Sequence, residues 1–156
     1  MKSLGNLIWH IPYLGFLNAL FTFLTGGLFV ISVVGAPIGL GLIQLSKMYL
    51  APFSYTMVSK SELSRHNPDA TENKLWKTFG MIVWIVYLPF GLLLCAISVL
   101  QIIGMFISLI GIPAALVEVK SLGTLFKPVG KTCVPVAVRE ELNRRKAEGQ
   151  ASQYLQ

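Results

Sequence analysis

Charged residues are scarce in this chain, and two long segments contain none. Asp, Glu, Lys and Arg make up 13% of its 156 residues, about half of the share in an ordinary soluble domain. Residues 3–46 and residues 78–117 lack all four residue types. A helix needs about 20 apolar residues to cross a bilayer. Each segment is therefore predicted to cross a membrane twice, which makes the lipid bilayer the first expected partner.

Cysteines and catalytic motifs are also scarce. Of the 2 cysteines, Cys95 falls inside the second uncharged segment and Cys133 beyond it, so both are predicted to be structural thiols and not a disulfide. The sequence contains no Ser-His-Asp set, no zinc-ligand spacing and no phosphate-binding loop. We therefore expect no enzyme activity, no catalytic residue, no metal and no cofactor.

One sequence pattern occurs twice, with an offset of 76 residues. The first copy, SVVGAPIG, begins at Ser32 and is followed by Pro52. The second copy, SLIGIPAA, begins at Ser108 and is followed by Pro128. Each copy lies in the second half of an uncharged segment. A duplicated membrane hairpin explains this arrangement better than a soluble fold does.

Each uncharged segment is too long for one crossing and is predicted to turn within itself. The best turn signals are Thr25-Gly26-Gly27 in the first segment and residues 101–104 in the second. The expected fold is an all-α integral membrane protein with four transmembrane helices. These form two tandem helix hairpins, related as a parallel repeat with Gly-x-Pro helix breaks. The predicted crossings are residues 4–24, 28–50, 78–100 and 105–126.

The basic residues lie outside both uncharged segments and give the chain a formal net charge of +6. With four crossings, the two termini and the central loop share one side of the membrane. The excess of Lys and Arg predicts that this side is cytoplasmic, so the charge does not indicate a nucleic-acid partner. The predicted units are a first hairpin (1–58), a cytoplasmic loop (59–77), a second hairpin (78–130) and a cytoplasmic tail (131–156).

The two Gly-x-Pro sequences are the first candidate functional feature. Proline lacks an N–H and clashes with the carbonyl one turn back, so a freed carbonyl in lipid needs a new partner. Nearby serine hydroxyls offer one. Two interpretations stay open: an unwound helix that lines a polar pathway, or a kink that shapes the bundle. The residues concerned are Ser32, Gly35 and Pro37 in the first copy, and Ser108, Gly111 and Pro113 in the second.

Three ionisable residues form the second candidate set. Glu118 and Lys120 interrupt the fourth predicted crossing, and His10 lies in the first. Because residues two positions apart on a helix do not face each other, Glu118 and Lys120 each need a separate partner, a cavity or the headgroup region. His10 is either a proton-responsive group or a hydrogen-bonded contact between helices.

The tail is predicted to contain a short helix between Pro135 and Gly149. Glu140 precedes Arg144 by four residues, and Glu141 precedes Arg145 by four, which is the favoured order for ion pairs on a helix. The cations of this tail also favour contact with anionic lipid headgroups. A helix in solution explains the same pattern equally well.

The chain resembles the YccF family of small bacterial inner-membrane proteins over about residues 6–130. The second copy carries the family pattern at Gly111, Pro113, Lys120 and Pro128-Val129-Gly130, and the first at Gly35, Pro37, Gly39, Lys47, Pro52 and Phe53. Ser54 stands where the pattern has a final glycine, Ala36 replaces a larger apolar residue, and Glu118 is outside the pattern. The resemblance implies a bacterial inner-membrane location and no particular activity.

Two main functions are compatible with these patterns, and a third is a lipid-interacting regulator that uses the basic tail. The first is a homo-oligomeric channel or pore component for ions or small solutes, with the Gly-x-Pro breaks near its axis. Self-association is expected because four short helices enclose little interior and small residues, such as Gly39 and Gly41, favour close helix contacts. The second is a non-conducting accessory or scaffold protein that docks a partner through its cytoplasmic loop and tail.

The predicted orientation is testable with reporter fusions. A fluorescent protein fused after residue 62 or at the C-terminus should fluoresce, and a phosphatase that is active only outside the cytoplasm should be inactive at both positions, because both lie on the positively charged side. Reporters on opposite sides of the membrane at these two positions would contradict the four-crossing arrangement.

Overall fold

The computed structural model describes residues 2–11, 13–65, 74–108 and 111–154. These residues form mostly helices, with one small sheet. In chain order the elements are α1 (Lys2–His10), α2 (Gly15–Ile31), α3 (Ala36–Leu50), β1 (Tyr55–Ser59), α4 (Lys60–Ser64), α5 (Lys74–Ile107), α6 (Ile112–Phe126), β2 (Lys131–Pro135) and α7 (Val136–Tyr154).

Helices α2 and α3 form the first hairpin, and their turn lies at residues 32–35. The turn predicted at Thr25-Gly26-Gly27 is wrong, because these residues lie inside α2. Gly26 lies at a close contact between α2 and α3. A side chain on Gly39 of α3 would overlap the carbonyl oxygen of Gly26. The glycine that suggested a turn thus allows two antiparallel backbones to approach closely.

Helices α5 and α6 form the second hairpin. The turn predicted at residues 101–104 is also wrong, because α5 continues through them to Ile107. The chain turns at residues 108–111, of which 109–110 lie outside the described part. Helix α5 begins at Lys74, so it includes the end of the predicted loop 59–77. Residues 60–64 of that loop form α4, and residues 66–73 are not described.

The sheet joins the segments that follow the two hairpins. Strands β1 and β2 pair antiparallel, with Tyr55 opposite Pro135, Met57 opposite Cys133 and Ser59 opposite Lys131. These strands were not predicted from the sequence. The bounds of β1 and β2 differ by 76 residues, as do the bounds of α3 and α6.

Helix lengths limit what can cross a membrane. Among the described residues, α5 is the one helix that is long and apolar enough by itself. Helices α1 and α2 reach that length only together, and they are bent by 77°. The 15 residues of α3 and of α6 extend about 22 Å, less than the roughly 30 Å hydrocarbon core. One clear span is therefore shown, and the four crossings stay a prediction.

The core lies where α3 meets α6. Buried side chains recur every three or four residues on both helices, so one face of each is buried. On α3 they are Ile38, Leu42, Leu45, Met48 and Tyr49, and on α6 they are Ala114, Val117, Glu118, Ser121 and Thr124. Large apolar side chains on α2 and α5, including Leu28, Ile31, Val86 and Ile107, point outward and are exposed, as expected of helices surrounded by lipid.

The packing of α3 against the second hairpin depends on Gly41. A side chain at Gly41 would overlap the backbone carbonyl of Pro128, so Gly41→Ala should destabilise the protein by about 1–3 kcal/mol through overpacking. Gly27, which has open space around it, provides the matched control. Gly27→Ala should stabilise the protein by up to about 1 kcal/mol, because alanine favours helix. Thermal unfolding in detergent measures both, and equal effects would contradict this packing.

Candidate functional site

Three polar side chains meet inside the core, and we call them the hydroxyl–carboxyl cluster: Tyr49 of α3 with Glu118 and Ser121 of α6. The Tyr49 hydroxyl donates to Oε2 of Glu118 at 3.4 Å, and the Ser121 hydroxyl lies 3.3 Å from the same oxygen. Glu118 is 8% exposed and Ser121 is fully buried. The carboxyl group is therefore held by neutral hydroxyl groups within a closed core.

Trp9 fixes the position of Tyr49. The two rings stack with centroids 5.9 Å apart and an interplanar angle of 16°, and the indole Nε1 donates to the Tyr49 carbonyl at 2.8 Å. Gly15, at the start of α2, makes room for the indole, because a side chain there would overlap it. Helix α1 thus holds the last turn of α3.

Side chains from outside α3 and α6 also bind the final carbonyls of these helices. His10 Nε2 lies 2.8 Å from the Leu50 carbonyl, so that nitrogen carries the proton. The Trp84 indole N–H donates to the Phe126 carbonyl at 3.1 Å, and the Tyr87 hydroxyl donates to the Leu125 carbonyl at 3.0 Å. The last carbonyls of a helix lack partners within it, and these donors supply them.

His10 is therefore a hydrogen-bonded contact between helices, which was one of its two interpretations. Its other ring nitrogen, Nδ1, is buried, with no partner in the described part of the chain. The proton-responsive interpretation stays a prediction.

Glu118 and Lys120 have separate partners, as the two-residue spacing predicted. Lys120 Nζ donates to the Pro52 carbonyl at 3.1 Å and lies 5.3 Å from the centroid of the Phe53 ring. Its side chain therefore binds the segment that follows α3, while Glu118 points into the core. The structure does not bring the two charges together.

The Gly-x-Pro residues begin helices; they do not break them. Pro37 and Pro113 each occupy the first turn of their helix, where the missing N–H has no intrahelical partner to lose. The interpretation as a kinked or unwound helix is wrong for this reason. Gly35 and Gly111 are buried in the turns before these helices, and a side chain on Gly111 would overlap the backbone carbonyl of Met105.

The two serines of the pattern lie in the same turns. Ser32 Oγ donates to the Phe29 carbonyl at 2.7 Å and accepts from the Gly35 N–H at 3.1 Å. The backbone of Ser108 links the corresponding turn, since its carbonyl accepts from the Gly111 N–H at 2.8 Å. These residues stabilise the turns and do not take part in the hydroxyl–carboxyl cluster.

The end of the molecule opposite the two turns is polar, and α7 is tied to it. The Val136 N–H donates to the Ser54 carbonyl at 3.0 Å, and Arg139 donates to the Met57 carbonyl at 3.0 Å. Lys146 forms an ion pair with Glu62 of α4, and its hydrogen bond lowers the pKa of that carboxyl group. The first half of α7 is thereby fixed to the sheet.

Ion pairs on α7 follow the predicted spacing in part. Arg145 pairs with Glu141 at 2.9 Å, as predicted. Arg144 pairs with Glu141 at 3.0 Å and approaches Glu148 at 3.9 Å, instead of the predicted Glu140. The helix continues past Gly149 to Tyr154, beyond its predicted end.

Comparison with known proteins assigns the family. Residues 4–55 match the YccF family model, described as an inner membrane component domain. The inner membrane protein YccF of Escherichia coli (strain K12) is 32% identical over 112 residues, 67% of this chain and 72% of that protein. The chain belongs to the YccF family of inner membrane proteins. The inner membrane protein YccF of Shigella flexneri matches over the same shares with the same identity. No solved structure matches the chain.

The resemblance drawn from the repeated pattern is thus confirmed. The YccF match covers α1, α2, α3 and the first residue of β1, and so includes Trp9, His10 and Tyr49. Sequence reasoning singled out His10 but missed the other two. Both carry a polar group within an apolar segment, and a buried polar group needs a partner, so this signal was available.

The hydroxyl–carboxyl cluster is testable by substitution. Glu118→Ala should destabilise the protein by about 1–3 kcal/mol, because it leaves the buried Tyr49 hydroxyl without its acceptor, whereas Ser121 keeps the Glu118 carbonyl as an acceptor. Glu118→Gln should cost less than about 1 kcal/mol, since its amide oxygen still accepts. Unfolding in detergent gives both values. A double-mutant cycle with Tyr49→Phe should show coupling, and strictly additive effects would exclude a hydrogen bond between Tyr49 and Glu118.

Proposed function

We propose that the protein is a non-conducting, non-enzymatic accessory or scaffold protein of the inner membrane. In this proposal the two hairpins anchor a platform made of β1, β2, α4 and α7. The platform faces the cytoplasm, as the distribution of Lys and Arg predicts, and presents α7 to a protein partner.

The filled core is the observation that carries this proposal. The side chains between α3 and α6 are almost completely buried: Leu45, Met48, Ala114, Ala115 and Val117 are each 0% exposed. Oε2 of Glu118 accepts from the Tyr49 and Ser121 hydroxyls. A water-filled path needs open volume between the helices. The described core is filled by side chains between α3 and α6, which supports a non-conducting role.

The form of α7 supports a docking role. Its first half is bonded to the sheet and to α4 through Val136, Arg139 and Lys146, while residues 143–152 are exposed. The exposed half carries charges of both signs, with Arg144 between Glu141 and Glu148. A fixed base and an exposed, charged extension are suited to a polar protein interface, because complementary charges give such interfaces specificity.

The second candidate is a homo-oligomeric channel or pore component for ions or small solutes. The observation that favours it is the carboxyl group of Glu118 in an otherwise apolar core, since ionisable groups at membrane depth often mark ion pathways. Because the core between α3 and α6 is filled, the pathway in this case runs between subunits.

A flux assay separates the two functions. Purified protein in liposomes should leave the ion leak of empty liposomes unchanged, because the core is filled. Glu118→Gln should behave like the unsubstituted protein. An ion flux that appears with the protein and is abolished by Glu118→Gln would overturn the scaffold proposal in favour of the channel.

Docking is testable by shortening α7. Removal of residues 147–156 keeps Lys146 and its ion pair with Glu62, so the platform should stay folded. The amount of a partner that co-purifies in a fixed ratio with the full chain should fall by at least about tenfold, which is the effect of removing the central residues of an interface. Removal of residues 155–156 alone is the control and should change nothing. An unchanged yield after the larger deletion would contradict docking through α7.

A further inference from the structure

A cavity of about 210 Å³ lies near the polar end of the fold, between α3, the β1–α4 junction, α5 and the segment before β2. Four lysines line it: Lys60, Lys77, Lys127 and Lys131. None of its lining residues in the described part of the chain is acidic. Lys60, Lys127 and Lys131 place like charges around one small space, where they repel each other and would attract an anion.

The positions of two of these lysines are set by the fold. The Lys60 N–H donates to the Gly130 carbonyl at 2.8 Å, which joins the start of α4 to the residue before β2. Lys127 Nζ lies 4.5 Å from the centroid of the Trp84 ring, so an aromatic ring of α5 holds that cation. The cationic wall is therefore built on well-packed elements.

Lys131 is a partly buried cation in the wall of the cavity. Burial and the nearby Arg139 lower the pKa of its ammonium group, and Glu62 offsets this only in part. Glu62 is itself paired with Lys146. A bound anion would remove the disadvantage of holding this partly buried charge.

Part of the cavity lining is apolar and exposed. Leu40 of α3 and Met81 of α5 line it and are 41% and 48% exposed. Trp76, at the start of α5, also lines the cavity, and tryptophan is typical of the headgroup level of a bilayer. A ligand that contacts both the lysines and these apolar side chains would have a negatively charged group attached to an apolar body.

We propose that this cavity binds the headgroup phosphate of an anionic phospholipid, whose acyl chains run outward along Leu40 and Met81. The lipid site differs from the basic tail, where Arg144 and Arg145 are paired with Glu141. It does not depend on whether α7 docks a partner or on whether the protein conducts.

Native mass spectrometry of the full chain in detergent tests the site, with phosphatidylglycerol and phosphatidylcholine of identical acyl chains as ligands. Phosphatidylglycerol should bind about tenfold more tightly, because its headgroup keeps a net negative charge. Lys60→Ala and Lys131→Ala should each weaken its binding about fivefold, the usual contribution of a lysine near an anionic lipid surface. Equal affinity for the two lipids would overturn the proposal.

Charge-matched variants control for folding and for net charge. Arg144→Ala and Arg145→Ala remove the same charge outside the cavity and should change binding less than about twofold, because these exposed cations are already paired. Lys131→Arg keeps the charge and should retain binding. A specific cationic site would be refuted if Arg144→Ala weakened phosphatidylglycerol binding as much as Lys131→Ala does, or if Lys131→Arg did not retain binding.

A soluble competitor separates a lipid from a free phosphate compound. Glycerol 3-phosphate carries the phosphate without acyl chains, so it should not displace phosphatidylglycerol at equal concentration. Met81→Ser should weaken phosphatidylglycerol binding by about threefold or more, as expected when an apolar contact with the acyl chain is lost. If glycerol 3-phosphate binds as tightly as the lipid and Met81→Ser has no effect, the cavity binds a soluble phosphate and the lipid assignment is wrong.

Discussion

The final carbonyl groups of α3 and α6 need hydrogen-bond donors from outside their own helices, and the rest of the structure depends on how they find them. The last carbonyls of a helix have no partner within that helix. Trp9 and His10 serve Tyr49 and Leu50 at the end of α3, and Tyr87 and Trp84 serve Leu125 and Phe126 at the end of α6. Helix α3 is thereby fixed to α1, and helix α6 is fixed to α5.

The same donors connect the surface to the core. Trp9 both donates to the Tyr49 carbonyl and stacks on its ring, and Tyr49 in turn donates to Glu118. Helix α1 is therefore linked through two side chains to α6 of the other hairpin. The hydrogen bond between Tyr49 and Glu118 joins the two hairpins, whereas Ser121 lies on the same helix as Glu118.

The sequence predicts local features of this protein and misses contacts that join distant segments. The pair Glu141 and Arg145 follows from a four-residue spacing within one helix, and it is present. The turn at Thr25-Gly26-Gly27 was wrong, because glycine signals a turn and a close helix contact equally well, and only the partner Gly39 decides between them. The five-residue strands β1 and β2 exist only by pairing across the chain, so neither has a strong signal of its own.

The candidate site likewise combines a local feature that the sequence predicts with a distant contact that it does not. The inward position of Glu118 fits the expectation that an ionisable residue in an apolar segment needs a partner. Its partner Tyr49 is 69 residues away in the sequence, and no spacing rule connects the two. The lysine-lined cavity likewise combines residues from four separate segments, whose charges are individually ordinary for loops near a membrane.

The register of the sheet has a consequence for symmetry. Met57 faces Cys133 at the centre of the ladder, and these two positions are separated by the same 76 residues as the bounds of α3 and α6. An antiparallel pairing centred on these positions places a local two-fold axis between the two strands, so each strand meets the other as the two copies of an isologous contact do.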